Sequence, residues 1–347
     1  MDELIITQKP KRHSYKTVCA KLGFIMCVYY ICRITAGFTV GLIHGLFDEI
    51  SETAFYISQG IILVMLIYMV PLLVAAILFK SFDYYSDKIV ALYKKPGRLA
   101  KKLGTFPAVY GLGYGTALLT MLLTWLLSRF TERMAGVEEF FQPTALEPSN
   151  NIVNIIMMVF MLVVIAPVFE EFLCRGIMYD ALKPYGTGVA IIISSVLFGL
   201  MHGTLYMLFY TTAIGFALGY IRYATNSLFI VTVLHAIINA VAAGLLVMTS
   251  LTEITMWENK LINTFSNIYQ FAALMLIIIG IIAFFMKIPV IRRYKIENAW
   301  NEINGIKKIG LFFISVPVLI MLVFAFDEHA NNMMLAELVK LIRGGGG

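Results

Sequence analysis

The residues best suited to chemistry lie in one short stretch, PVFEEFLCRG at residues 167–176, which follows sixteen uncharged residues. It places Glu170, Glu171 and Arg175 within about one and a half turns of a helix. A carboxylate at bilayer depth costs about 2.5–3.5 kcal/mol on insertion scales. Two adjacent carboxylates at that cost suggest proton-transfer chemistry, in which one of them serves as a general base.

The spacing separates the two acids from each other. Glu171 and Arg175 are at positions i and i+4 with the acid first, which is the favourable order for an ion pair. Glu170 lies about 100° further round the helix, so it must face a different partner. The alternative interpretation of the three residues is a structural salt-bridge network.

Two histidines and an asparagine in later apolar stretches are the other candidates. His235 and Asn239 share a helix face at i and i+4, and so do Phe198 and His202. An imidazole exchanges protons near neutral pH, and an amide N–H can donate to a developing oxyanion. The alternatives are a satisfied core histidine at His202 and an interhelical hydrogen-bond pair for His235 and Asn239.

Apolar helices must position these residues. The chain of 347 residues is 60% hydrophobic and 14% charged, whereas soluble proteins carry about a quarter charged residues. Apolar runs long enough to span a bilayer recur, so we predict an all-α, polytopic transmembrane helical bundle with eight or nine spans. Arg33 is isolated in the first span, which favours snorkelling or interhelical pairing. The nine predicted spans are 20–42, 54–79, 106–128, 151–182, 187–203, 206–223, 227–249, 266–286 and 309–326.

The distribution of charge predicts the orientation. Lys and Arg are concentrated in residues 9–16, 80–102 and 287–308, whereas the segments of opposite parity are rich in acids. Basic segments favour the cytoplasm, which predicts a cytoplasmic N-terminus. In a membrane protein the net charge of +6 gives no reason to expect a nucleic-acid partner. The composition is typical of a bacterial cell membrane protein.

The predicted helix ends also bring the polar groups to a similar depth. Measured from the inner end of each helix, Glu170 and Asn239 lie at ~18 Å, His202 at ~22 Å and His235 at ~12 Å. Three helices therefore contribute polar groups to one level of the membrane, which predicts a single shared site.

Three motifs occur in order: EEFLCR as EExxxR, FGLMH as FxxxH and HAIIN as HxxxN. Together they resemble the CAAX-protease and bacteriocin-processing family of intramembrane endopeptidases, also called the Abi family. The resemblance covers about residues 151–245. It divides the chain into N-terminal accessory transmembrane helices at 1–150, a CAAX-protease-like catalytic core at 151–250, and C-terminal transmembrane helices with a tail at 251–347.

The resemblance implies roles for the motif residues. Glu170 would be the general base that activates a water, and His202 would help to orient that water. His235 and Asn239 would stabilise the oxyanion. The other motif residues, which would have supporting roles, are Glu171, Arg175 and Phe198.

A metal-dependent version of the same protease is an alternative. Glu170, His202 and His235 could be three ligands of a catalytic zinc with one open position. The HExxH pattern of helical zinc proteases is absent from the sequence. We therefore expect no metal and no cofactor, and chelator treatment of the enzyme would distinguish the two versions.

Function remains open in two further ways. A membrane immunity or regulatory protein could retain the polar cluster without hydrolysis. A transporter would need a polar path across the bilayer, which predicted spans eight and nine lack.

For a protease the expected partners are the lipid bilayer and a peptide precursor, leader or membrane-protein substrate, as in peptide maturation or bacteriocin processing. The sequence leaves the substrate's identity and the oligomeric state open.

Overall fold

Ten helices make up nearly all of the chain that the computed structural model describes, and the all-α prediction is confirmed. The described residues are 14–46, 51–79, 102–130, 150–203, 205–255, 258–293 and 305–329. The helices are α1 (Tyr15–Leu46), α2 (Glu52–Phe79), α3 (Phe106–Phe130), α4 (Ile152–Tyr185), α5 (Thr187–Leu200), α6 (Leu205–Thr225), α7 (Leu228–Ile254), α8 (Lys260–Arg293), α9 (Gly305–Phe313) and α10 (Val316–His329).

Each of the nine predicted spans corresponds to a helix or to a bent pair of helices. By length and apolar composition, α1, α2, α3, α4, α7 and α8 can cross a membrane, and the α9–α10 pair, bent by 66°, would be a seventh span. The remaining two are the short apolar α5, of 14 residues, and α6. At 1.5 Å per residue α5 is about 21 Å long, less than the ~30 Å hydrocarbon core. The chain is a polytopic helical membrane protein.

Two contacts between helix ends give the relative directions of α1, α2 and α4. Lys21, near the start of α1, donates through Nζ to the carbonyl oxygen of Leu78 at the end of α2, at 2.6 Å. At the opposite side Asn151, which precedes α4, donates through Nδ2 to Glu52 Oε2 at the start of α2, also at 2.6 Å. Hence α2 and α4 are parallel, and α1 is antiparallel to both. The cytoplasmic N-terminus stays a prediction, because basic residues 80–101 lie outside the described residues.

Helix α4, which carries the two adjacent acids, is locally widened on both sides of them. The segment Ala166–Glu171 is α-helical, and it is flanked by the π-helical segments Met161–Ile165 and Phe172–Met178. Pro167 lacks a backbone N–H and clashes with the carbonyl four residues earlier, so a regular helix is disfavoured there. Gly186, with φ of 135°, ends the helix in a conformation that suits glycine.

Buried apolar side chains form two clusters. One joins α1, α2, the second half of α4, α5 and the α9–α10 pair, and the other joins α3, α6 and α7, with α8 packed against it. Phe172 packs against both clusters, so the stretch that contains the two acids lies at their boundary. In the second cluster a Cβ atom at Gly111 of α3 would overlap the backbone at Gly280 of α8, so both helices need glycine at this crossing.

Candidate active site

Glu170 faces two imidazoles that come from other helices. Its Oε2 atom lies 4.0 Å from Nε2 of His202, in the turn after α5, and 3.9 Å from Nε2 of His235 on α7. The side chains of Glu170 and His235 are 11% and 4% exposed. The structure therefore brings together three of the predicted site residues, each from a different part of the chain.

Glu171 is fully buried and has two partners. Its Oε1 accepts a hydrogen bond from Nη1 of Arg175 at 3.0 Å and lies 2.9 Å from Nδ1 of His235. The ion pair with Arg175 was predicted from the spacing, but the contact with His235 was not. A carboxylate at Nδ1 stabilises the tautomer that carries its proton there, and it leaves Nε2 of His235 turned toward Glu170.

Phe198 packs between Arg175 and the two imidazoles. The guanidinium of Arg175 donates through Nη2 to the carbonyl oxygen of Gly215 at 3.1 Å, and it lies over the Phe198 ring at 4.3 Å. The same ring makes edge contacts with His202 and His235, with centroid distances of 4.7 and 5.4 Å. One aromatic ring thus fixes the planes of both imidazoles and carries the cation on its face.

His202 is oriented by its own helix. Its Nδ1 lies 2.8 Å from the carbonyl oxygen of Phe198, one turn earlier. Because a carbonyl oxygen can only accept, Nδ1 carries the proton and a neutral His202 presents a lone pair at Nε2. Both imidazoles therefore turn Nε2 toward the same oxygen of Glu170.

Asn239 is placed differently from the other predicted residues. Its Nδ2 donates to the carbonyl oxygen of Leu162 at 2.9 Å, within a π-helical segment of α4. Leu162 lies eight residues before Glu170, or about 12 Å along the helix axis. Among the described residues no hydrogen bond joins Asn239 to Glu170 or to either histidine.

The sequence analysis missed a second ion pair, which joins Arg222 on α6 to Asp180 near the C-terminal end of α4. Arg222 on α6 donates to the Arg175 carbonyl oxygen through Nε at 3.2 Å and to Asn226 through Nη1 at 2.8 Å. Its Nη2 lies 3.3 Å from Oδ1 of Asp180 on α4. The charges were visible in the sequence, but spacing along one helix cannot pair residues of two helices.

Two residues of the N-terminal helices also reach the site, and the motifs contain neither. Tyr68 on α2 donates through its hydroxyl to Glu170 Oε1 at 3.4 Å. Arg33 on α1 donates through Nη1 to the Met201 carbonyl oxygen at 2.6 Å, directly before His202. Only Arg33 had a signal in the sequence, as an isolated intramembrane charge, and the interhelical pairing expected for it is present.

The spacing of the three central residues does not fit tetrahedral zinc. Bonds of about 2.0–2.1 Å would hold ligand atoms about 3.3 Å apart, whereas Oε2 of Glu170 is 4.0 and 3.9 Å from the two Nε2 atoms. In the described part of the chain, no three His, Cys, Asp or Glu side chains are placed at the mutual distances of metal ligands. Separations of this size do suit a hydrogen-bonded water molecule between the groups.

A cavity of about 830 Å³ lies further along the interface of α2 and α4, toward the start of both helices. Its wall is rich in methionine and amide side chains and includes neither Glu170 nor the two histidines. The lining residues are Phe55, Tyr56, Gln59, Gly60, Leu63, Asn150, Asn154, Met157, Met158, Met161 and Glu253.

Comparison with known proteins assigns the part of the chain that contains this geometry. Residues 152–241 match the family model described as Type II CAAX prenyl endopeptidase Rce1-like. This segment is Rce1-like. No curated protein and no solved structure matches the chain. The predicted resemblance to the CAAX-protease family is therefore confirmed for nearly the range in which the three motifs occur.

The Rce1-like segment contains every predicted site residue, from Glu170 to Asn239. It spans α4, α5, α6 and the first half of α7, whereas α1, α2, α3 and α8 to α10 lie outside it. Together with the apolar helices, the Rce1-like segment points to a multi-pass integral membrane protease of the CAAX type.

Proposed function

We propose that this protein is an intramembrane endopeptidase in which a water molecule, activated by Glu170, hydrolyses a peptide bond. The observation that carries the proposal is the position of Glu170 Oε2, within 4.0 Å of Nε2 of both His202 and His235. These distances are longer than a hydrogen bond and correspond to groups bridged by one water.

The polarity of the three atoms defines how such a water would be held. With Nε2 of His235 left for the oxyanion, the acceptors are the Glu170 carboxylate and the lone pair at Nε2 of His202, so the water would donate one proton to each. Its own lone pair would then point away from them, toward a substrate carbonyl carbon. A general base in this position contributes about 10²–10⁴-fold to the rate.

The reaction would proceed in two steps. The water oxygen bonds to the carbonyl carbon while its proton passes to Glu170, and the carbonyl electrons move to the oxyanion. When the carbon–nitrogen bond breaks, Glu170 returns the proton to the leaving amide nitrogen, which yields an amine and a carboxylic acid. No covalent enzyme intermediate is needed.

The oxyanion would be stabilised by His235 and Asn239. Glu171 holds Nδ1 of His235, and a His235 that carries protons on both ring nitrogens would donate from Nε2 to the oxyanion. Asn239 already donates one N–H to Leu162, so its second N–H would be the group available to the oxyanion. Arg175 and Phe198 would fix the ring planes.

The substrate class follows from the location of the site among apolar helices. We propose a membrane-associated peptide precursor or a membrane protein, with or without a prenyl group. The same candidate peptide, in farnesylated and unmodified forms, distinguishes these two by the kcat/KM for each.

Glu170→Gln tests the mechanism. The purified protein, reconstituted in liposomes, is incubated with a peptide mixture derived from cell membranes, and new termini are identified by mass spectrometry. We expect the variant to lose about 10²–10⁴-fold in rate, whereas Glu253→Gln, which changes an exposed acid at the end of α7, should cleave like the wild type. A Glu170→Gln variant that cleaves at the wild-type rate contradicts the mechanism.

Chelation tests the metal-independent version of the proposal. Activity should persist after the wild-type enzyme is dialysed against a strong zinc chelator. Loss of activity that added zinc restores would instead support a zinc protease built on the same residues.

A further inference from the structure

The end of α5 is held by side chains of α1. The last carbonyl groups of a helix have no partner within it, so other groups must supply one. Tyr30 donates through its hydroxyl to the Leu200 carbonyl oxygen at 2.7 Å, and Tyr29 donates to the Met201 carbonyl oxygen at 2.9 Å. Arg33 adds a shorter bond, from Nη1 to the same oxygen of Met201, at 2.6 Å.

These contacts fix the backbone directly beside a catalytic candidate. The Met201 carbonyl belongs to the peptide group that leads into His202, and Tyr29 and Arg33 together occupy both of its lone pairs. Arg33 also donates to the Tyr29 hydroxyl at 3.2 Å, which joins the two side chains into one unit. A displacement of this unit would move Nε2 of His202 relative to Glu170.

A side chain of α2, Tyr68, contacts Glu170 at the site. The Tyr68 hydroxyl donates to Glu170 Oε1 at 3.4 Å, which is long for a bond between two oxygens but aimed at the carboxylate. The Tyr68 ring packs on Phe169 with a centroid distance of 5.5 Å. The Tyr68 hydroxyl thus contacts one carboxylate oxygen of Glu170, Oε1, and the other oxygen, Oε2, faces the imidazoles.

We infer that α1 and α2, both outside the Rce1-like segment, are part of the working site: Tyr68 positions Glu170, and Tyr29 with Arg33 positions His202. This inference rests on the proposed function. Capping a carbonyl does not require a charge, since tyrosine hydroxyls cap carbonyl groups at the same turn.

Hydroxyl deletions test the inference, because tyrosine and phenylalanine have nearly the same shape. The variants are Tyr68→Phe and Tyr29→Phe. Tyr15→Phe on α1 is a matched control, because its hydroxyl donates to the Lys308 carbonyl oxygen at the other end of the bundle. We expect kcat to fall about 10-fold or more in both test variants with KM within about twofold, because misplacement by about 1 Å can cost 10²-fold.

The charge is tested separately at Arg33. Arg33→Met should lower kcat further than Tyr29→Phe, and Arg33→Lys should restore part of it because the cation and a donor are retained. KM should change little in either variant. A purely structural cap would instead lower the thermal unfolding midpoint in detergent while kcat of the folded fraction stayed at the wild-type value.

The outcomes distinguish this inference from the proposed function. If Glu170→Gln is inactive while Tyr68→Phe, Tyr29→Phe and Arg33→Met all retain the wild-type kcat, the inference is overturned and the proposed function stands. If Glu170→Gln remains active, both are overturned. Selective loss of kcat in the test variants, with a normal control, supports the inference.

Discussion

Two neighbouring glutamates differ in environment because they point in directions about 100° apart. Glu171 is fully buried and bonded to Arg175 and His235, whereas Glu170 is 11% exposed and faces two Nε2 atoms. One acid is thus held by two hydrogen-bonded partners, and the other is the acid that would exchange a proton with a water in the proposed mechanism. Paired carboxylates with different environments commonly divide the tasks of a catalytic site in this way.

Glu171→Gln should damage both stability and activity. The change leaves Arg175 buried without its anion, and breaking a buried pair costs on the order of 3–5 kcal/mol. It also removes the carboxylate that accepts from Nδ1 of His235, so the imidazole is less firmly oriented toward Glu170. We expect a lower unfolding midpoint in detergent and a lower kcat.

A double variant separates these two effects. Glu171→Gln combined with Arg175→Met removes both charges, and it should regain much of the lost stability because no unpaired charge is buried. Its kcat should remain low, because the partner of His235 is still missing. Recovery of kcat along with stability would show that Glu171 acts only through Arg175.

Residue spacing predicted the local contacts of this site and could not predict the others. The Glu171–Arg175 pair follows from i and i+4 positions on one helix. The bonds from Glu171 to His235 and from Tyr68 to Glu170 join residues on different helices, and their existence depends on how α2, α4 and α7 pack. A lone tyrosine in an apolar helix gives no signal of such a contact.

At the level of elements, α5 and α6 form the closest helix pair near the site. The helices approach at Gly199, where an added Cβ would overlap Oγ1 of Thr212 and lie 2.8 Å from the Leu208 carbonyl oxygen. Gly215 on α6 likewise leaves room for Arg175 and Ser195, each 3.1 Å from an added Cβ. Small residues therefore set the distance between α5, which precedes His202, and α6, whose Gly215 carbonyl oxygen accepts from Arg175.

Gly199→Ala should separate the two helices and reduce both stability and activity. Overpacking of this kind costs about 1–3 kcal/mol, and it would shift the end of α5 that precedes His202. Gly37→Ala on α1 is the matched control, since an added Cβ there meets nothing within 4 Å. Unfolding midpoints and kcat are compared, and a Gly199→Ala variant as stable as Gly37→Ala would contradict the close packing.

Hydropathy predicted the positions of the helices better than the π-helical segments within them. The long apolar run at 151–182 corresponds to α4, but its π-helical segments could not be predicted from period and composition. Only Pro167 marks the irregularity in the sequence, and its effect depends on how neighbouring helices satisfy the freed backbone groups. Asn239 is one such neighbour, through its bond to Leu162.

At the scale of the whole molecule, the ends of α4 should lie on opposite sides of the membrane. The described cysteines are all buried, so they should react little with a thiol-labelling reagent. Asn150→Cys and Lys183→Cys place thiols at exposed positions at the start and the end of α4. With a cytoplasmic N-terminus, a membrane-impermeant maleimide should label the first variant in intact cells and the second only after permeabilisation.

The reverse labelling pattern would invert the topology without changing the bundle. Helices α1, α2 and α4 would keep their relative directions, because the bonds between Lys21 and Leu78 and between Asn151 and Glu52 fix which of their ends share a side. Charge in the sequence predicts only which side is cytoplasmic. The alternation itself could be predicted from the number of apolar runs, because each crossing reverses the direction of the chain.

The crossing of α3 and α8 at Gly111 and Gly280 has an evolutionary consequence. Each glycine occupies space that a methyl group on the other would need, so neither position can accept a larger residue alone. In a set of homologues both columns should stay glycine, because the atoms that an added Cβ would meet belong to the backbone and no substitution removes them. Such paired conservation would connect a helix on the N-terminal side of the Rce1-like segment with one on its C-terminal side, as a sign that both belong to one inherited fold.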